Sequence, residues 1–266
     1  MKKRVLTTLL VMALATGVLF LVNALLGGVS NEAYATPDRG SNCSQCHKSN
    51  SPQTRGTKGF TVSFFPELCN EFSSTGRNPF FILEPGYQLI MEGKEKKKDI
   101  HLSITVLNET KTVNGVETRV IEERETVGGV LAEVSRNYFA ICNRDNSVFY
   151  FGEDVDIYEN GQVVSNEGAW LADENGAAAG IMMPGTILIG AKYFQEIAPG
   201  VAMDRAEILS MTEKVETPAG VFENCLKTKE TTPLERGTAF KFYAPDVGLI
   251  KDGNLTLVEY GFLGGP

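Results

Sequence analysis

Cys43-Ser44-Gln45-Cys46-His47 is the stretch of this sequence whose residue types and spacing specify a chemistry. Two thiols three residues apart can each add to a vinyl group of one porphyrin, and a His directly after the second thiol carries its imidazole beneath the iron. A shift of one residue loses that ligand. The same pentapeptide admits other uses: a redox dithiol, an ordinary disulfide, or two ligands of a zinc site. A four-ligand zinc site needs further partners, and Cys69, Cys142 and Cys225 are dispersed singly. A thioredoxin-like pair belongs beside a βαβ pattern, which the sequence does not carry.

In a chain that begins with an export signal, this pentapeptide resembles the attachment site of monohaem c-type cytochromes. The resemblance covers five residues. It implies one haem c with Cys43 and Cys46 as thioether anchors, His47 as proximal iron ligand, and electron transfer to a redox partner protein. The sixth iron position then takes a ligand or stays open, and that choice sets potential and reactivity. The distal candidates are His101 and Met183. His101 falls on the polar face of an alternating strand, where a solvated residue is the plain alternative. Met183, with Met182, follows the Gly- and Ala-rich residues 177–180, which read as a loop, and core packing is its plain alternative.

The elements around the motif follow from composition. Lys2, Lys3 and Arg4 precede an apolar run over residues 5–29, and Ala33-Tyr34-Ala35 offers a small-x-small cleavage site. Residues 1–35 therefore read as a signal peptide, or, because the run is long, as an N-terminal membrane anchor. The expected location is periplasmic or otherwise extracytoplasmic. The formal net charge is −8; removing residues 1–35 takes away three basic residues and Glu32 and moves it to −10. So acidic a protein lacks the basic surface that nucleic acid requires. Residues 36–59 are the exception: Asp38 alone opposes Arg39, Lys48, Arg55 and Lys58. That basic segment can fold back on its acidic body or steer an acidic partner.

Residues 36–77 are rich in Ser, Thr, Asn, Gly and Pro and read as a short irregular haem-binding segment. Forty residues cannot build a haem pocket alone. Apolar walls must come from Phe60, Phe64, Phe65 and Phe72, or from the following domain. Residues 78–266 read as one mainly β domain, an antiparallel curved sheet, sandwich or open barrel. Turn pairs recur at Asn114-Gly115, Gly128-Gly129, Asp145-Asn146, Asn160-Gly161 and Asp252-Gly253. Strand runs are expected at 101–107, 148–151, 187–194, 206–215, 225–230, 239–243 and 255–260. In the first, Leu102, Ile104 and Val106 share one face, and His101, Ser103 and Thr105 the other.

Residues 217–227 (Thr-Pro-Ala-Gly-Val-Phe-Glu-Asn-Cys-Leu-Lys) and 242–251 (Phe-Tyr-Ala-Pro-Asp-Val-Gly-Leu-Ile-Lys), with Asn78-Pro79-Phe80 and Pro85-Gly86-Tyr87, resemble a pattern in uncharacterised exported bacterial β-rich proteins. Their sheets are similar to those of outer-membrane lipoprotein carriers, which wrap an antiparallel sheet around an apolar ligand. The resemblance implies fold and carries no catalytic motif. It opens a second functional class, a β-sheet binding module for an apolar ligand or a partner protein, with the Cys43–Cys46 pair accessory or a redox thiol pair. Residues 217–227 are expected to form a hairpin with Phe222 and Leu226 packed inwards.

The remaining features give weaker signals. Cys69, Cys142 and Cys225 allow one disulfide and one thiol, with the pairing open. A Cys-His hydrolase lacks a spare positioned base. A peroxidase-like haem enzyme would need a polar distal group, for which only His101 offers itself. Glu153, Asp154, Asp156 and Glu159 fail calcium-loop spacing and read as a solvated turn. Lys94, Lys96, Lys97 and Lys98 read as a charged strand boundary, and Trp170 as core or rim packing.

Overall fold

The computed structural model describes Cys69 and residues 71–264. Among them there is no α-helix. The first strands are short: β1 (Phe72–Ser73), β2 (Gly76–Asn78) and β3 (Phe81–Leu83). Five long strands form the next run: β4 (Tyr87–Glu95), β5 (Lys98–Val113), β6 (Val116–Val127), β7 (Val130–Cys142) and β8 (Val148–Glu159). An irregular stretch carries β9 (Gln162–Ser165), β10 (Trp170–Leu171), β11 (Ala178–Met183), β12 (Lys192–Phe194) and β13 (Glu196–Ile197). The chain closes with β14 (Arg205–Thr217), β15 (Gly220–Thr231), β16 (Ala239–Ala244), β17 (Gly248–Asp252) and β18 (Leu255–Phe262).

All pairings are antiparallel, in the order β14-β15-β16-β17-β18-β4-β5-β6-β7-β8-β11. The two ends of this path meet in residues 192–197. There β12 bonds to β14 through Lys192–Phe194, and β13 bonds to β11 through Glu196 and Ile197. Gln195, between them, is the seam at which the sheet curls into a barrel. This near-closure shortens the open edges that a sheet of this size would otherwise expose, the seam covering Arg205–Glu207 of β14 and Ala178–Ala179 of β11. At the seam β11 needs a glycine, because a Cβ on Gly180 would stand 2.0 Å from the Gln195 carbonyl oxygen.

The hairpin turns fall where the turn pairs predict them. Asn114 and Gly115 take φ of 48° and 74°. Both central residues are left-handed, as the two-residue turn matched to strand twist requires. Lys96 and Lys97 form the β4–β5 turn in the same way, with φ of 46° and 72°. Strand alternation then sets the lining. Leu89 pairs with Ile104, Met91 with Leu102, Ile104 with Glu123 and Leu102 with Glu125, so these residues share the inner face.

One strand expectation needs correction. Of residues 187–194, only Lys192–Phe194 is strand. Residues 187–191 form a loop that leaves Leu188 and Ile189 exposed, with Gly190 and Ala191 still bonded through their backbone to Ile208. In the expected hairpin Phe222 packs against the core while half-buried, its ring centre 6.0 Å from that of Tyr260, and Leu226 points inwards and is fully buried. Asn224, between them, adopts φ of 55° and shifts the alternation.

Barrel structure reaches back to Cys69. β1 pairs with the end of β7, and Cys69 is bonded to Cys142, with Cα atoms 5.7 Å apart. β2 and β3 form a hairpin across the same end. The Asn78 amide donates to the carbonyls of Asn146 (3.0 Å) and Pro184 (2.9 Å), and Asp246 N–H donates to the Pro79 carbonyl (2.7 Å). Phe81 lies against Phe139, ring centres 5.2 Å apart. The bridged cysteines are 73 positions apart, so the bridge closes a long loop. Replacing both by Ala is expected to cost about 2–4 kcal/mol, through restored freedom of the unfolded chain. A urea midpoint unchanged by the double substitution would show that the cap holds without it.

Candidate functional site

Cys43, Cys46 and His47 lie outside the described residues, as do Phe60, Phe64 and Phe65. The other cysteines have defined states. Cys69 and Cys142 are bonded, and Cys225 is a fully buried thiol in β15 whose ionisation burial opposes. His101 is exposed on the outer wall, opposite Glu92 and Thr126. Met183 has 0% exposure and pairs with Val148. The stretch leading to it is strand β11, not a loop: its small residues serve close packing at the seam, Gly180 most clearly. His101 and Met183 are therefore held apart, one on the outer surface and one in the core.

The interior has two unlike ends. Near the cap it is apolar, with Tyr87, Leu89, Val106, Ile121, Phe139 and Leu249 around a cavity of about 70 Å³. Towards the β4–β5 and β6–β7 turns it becomes acidic. Among the described residues seven carboxyl side chains are buried (Glu123, Glu125, Glu133, Glu153, Glu196, Asp204, Glu230), against two buried cations, Arg119 and Lys241. Glu123 and Glu125 follow Ile121 on the inner face of β6, and Glu133 pairs directly with Glu125. Glu153 corrects the solvated-turn reading. It lies mid-strand in β8 and is buried, whereas Asp154 and Glu159 are exposed.

Lys241 organises one wall. Its Nζ lies 2.8 Å from Glu230 and 3.6 Å from Asp252. Burial by itself would lower the pKa of this ammonium, but Glu230 and Asp252 hold it well above its ordinary value. The Gln195 amide donates to Glu230 (3.3 Å) and to the Met182 sulfur (3.4 Å). The seam is thereby tied to the ion network. Beside it, Glu196 accepts from Asp204 N–H at 2.6 Å, and its other oxygen, Oε2, has no hydrogen-bond partner.

Desolvation dominates the acidic end. Burial pushes Glu123 and Glu125 up to about 8 and Glu133 up to about 7. Burial, reinforced by the Glu230 charge, pushes Asp204 up to about 7. Asp252 rises only to about 6, because Lys241 opposes the burial cost. At neutral pH much of this interior therefore carries protons, which lowers the cost of enclosing so many carboxyl groups. No group of three or more His, Cys, Asp or Glu side chains among the described residues is placed to hold a metal ion.

A cleft of about 200 Å³ lies between the β10 region and residues 198–201, lined by Asp154, Trp170, Glu174 and Pro199. Trp170 is buried and meets Tyr150 edge-on at 5.2 Å, the packing role expected of it. The acidic interior is almost silent in the sequence. Its one signal was a strand, residues 116–127, with charges on both faces, which by itself fits an exposed ribbon equally well.

No family model matches this chain, and no curated protein matches it. One solved structure does, a crystal structure from Parabacteroides distasonis ATCC 8503 described as a "putative lipoprotein". It is 17% identical, covers 70% of this chain and all of its own, and superposes with a TM-score of 0.35, too low to carry an argument about fold or function.

Proposed function

We propose that this chain is an exported β-barrel protein that carries one haem c on the segment preceding the barrel and passes electrons to a protein partner. Cys43 and Cys46 are the thioether anchors and His47 the proximal ligand. One observation carries this reading: the barrel engages or seals every other cysteine. With Cys69 bonded to Cys142 and Cys225 buried, Cys43 and Cys46 are the remaining thiols of the five, and they stand before His47 at the attachment spacing. A structural disulfide also fits the oxidising compartment to which residues 1–35 direct the chain.

A bound haem supplies one-electron chemistry. The barrel's part is to dock it. An interior cavity of about 70 Å³ is far below the roughly 300–1,000 Å³ of cofactor pockets, so a haem on this segment packs outside the wall. From Cys46 to Cys69 the chain spans at most roughly 80 Å, enough to reach any part of the barrel surface. Of the two distal candidates, His101 is the one such a haem reaches without opening the core. The basic residues of 36–59 favour docking on the acidic body.

In the full chain, expressed with haem-attachment machinery, Cys43→Ser with Cys46→Ser should give a folded, colourless barrel. His47→Ala should keep covalent haem but shift its absorption bands. Unchanged spectra in His47→Ala would remove the proximal assignment.

A further inference from the structure

Glu123 stands where the apolar and acidic ends of the barrel meet. It lines the capped cavity together with Lys241, in a lining otherwise of apolar and aromatic side chains, the phenols Tyr87 and Tyr243 among them, and one glycine. It is 9% exposed, and its Oε2 is buried with no hydrogen-bond partner. An orphaned buried polar atom is costly, and one that borders a cavity marks a place where a ligand atom completes the bonding. The cavity holds several water-sized groups, which bounds the occupant to a small or slender molecule.

The surrounding charges select its polarity. Lys241 borders the same cavity and repels a cationic group. Glu230 and Asp252, the carboxylates paired with Lys241, lie beyond it and repel an anionic one. We propose that the capped cavity binds a small neutral molecule with an aliphatic body and one carbonyl oxygen, the oxygen accepting a hydrogen bond from the Glu123 carboxyl group and the body lying against Leu89, Ile104, Ile121 and Phe139. Phe81 and Ile82 of the capping hairpin close the site from the end. This site is independent of the haem reading.

Glu123 can donate only while protonated, and its pKa of about 8 keeps it so at neutral pH. Burial raises it most, Lys241 across the barrel lowers it, and Glu133 on β7 and Asp252 raise it further; Glu125 lies on the same face of its own strand, its β5 neighbour is Ile104, and Tyr87 and Tyr243 border the same cavity. The probe is 2-hexanone, titrated calorimetrically into the full-length protein. Binding at pH 6.5 should weaken about tenfold by pH 9.5, as Glu123 loses its proton. Glu123→Gln retains an N–H donor, so it should bind within about twofold of the parent and lose that pH dependence. Glu123→Leu, which fills the position without a donor, should bind at least about fivefold more weakly, in line with the loss of one buried hydrogen bond. Equal or tighter binding by Glu123→Leu would overturn the assignment of the carbonyl to Glu123. Absence of heat with the folded parent protein at any pH would overturn the site and leave Glu123 to bound water.

Discussion

Replacing Lys241 by Met should destabilise the barrel by about 3–5 kcal/mol at pH 7, the range for removing one partner of a buried ion pair. The Nζ stands 2.8 Å from Glu230 and 3.6 Å from Asp252, with all three side chains almost completely enclosed. Met fills similar volume, so the loss comes from carboxyl groups left without a cation in low dielectric. Those groups can escape by taking up protons, and the deficit should therefore be smaller at pH 5 than at pH 8. Adding Glu230→Gln and Asp252→Asn should recover most of the loss, because uncharged amides need no counter-ion. Urea midpoints of the single and triple variants measure this. A single variant as stable as the parent at pH 8 would mean that the network does not form.

Stability should fall as pH rises from 5 to 8. Glu123, Glu125, Glu133 and Asp204 have folded-state pKa values above their ordinary ones, chiefly through burial. Between the ordinary and the folded value, the native state binds more protons than the unfolded chain, so raising the pH favours unfolding. Each such group contributes about 1.4 kcal/mol per pH unit within its window, which opens near 4.5 for Glu and closes near 7 to 8. These groups share one interior and do not add independently, so we expect a total of several kcal/mol. Glu125→Gln, which also removes the like-charge pairing with Glu133, should flatten the profile. Stability that rises over this pH range would show these carboxyl groups to be ionised and hydrated.

Much of the wall was legible. Turn pairs such as Asn114-Gly115 and Asn160-Gly161 demand backbone angles that few other sequences accept, and they fall at hairpin ends. Alternation in residues 101–107 fixed which face turns inward. Closure was not legible, because it depends on residues 192–197 sharing their bonds between two neighbours separated by the seam at Gln195, and no local signal encodes that division. The acidic interior was hidden for a related reason. A strand's two faces look alike when both carry charge, and only the neighbouring strands decide that Glu123 and Glu125 turn inward while Glu122 and Arg124 do not. The loop reading of residues 177–180 failed because small residues serve tight packing as well as turns.

The most direct test of a haem-bearing barrel is the absorption spectrum of the full-length protein, extracted with acid-acetone and reduced in alkaline pyridine. A c-type haemochrome band that survives extraction is the predicted result, since the proposed thioether bonds through Cys43 and Cys46 would hold the porphyrin against solvent. A colourless extracted protein, with two thiols titrating at Cys43 and Cys46 after reduction, would contradict it.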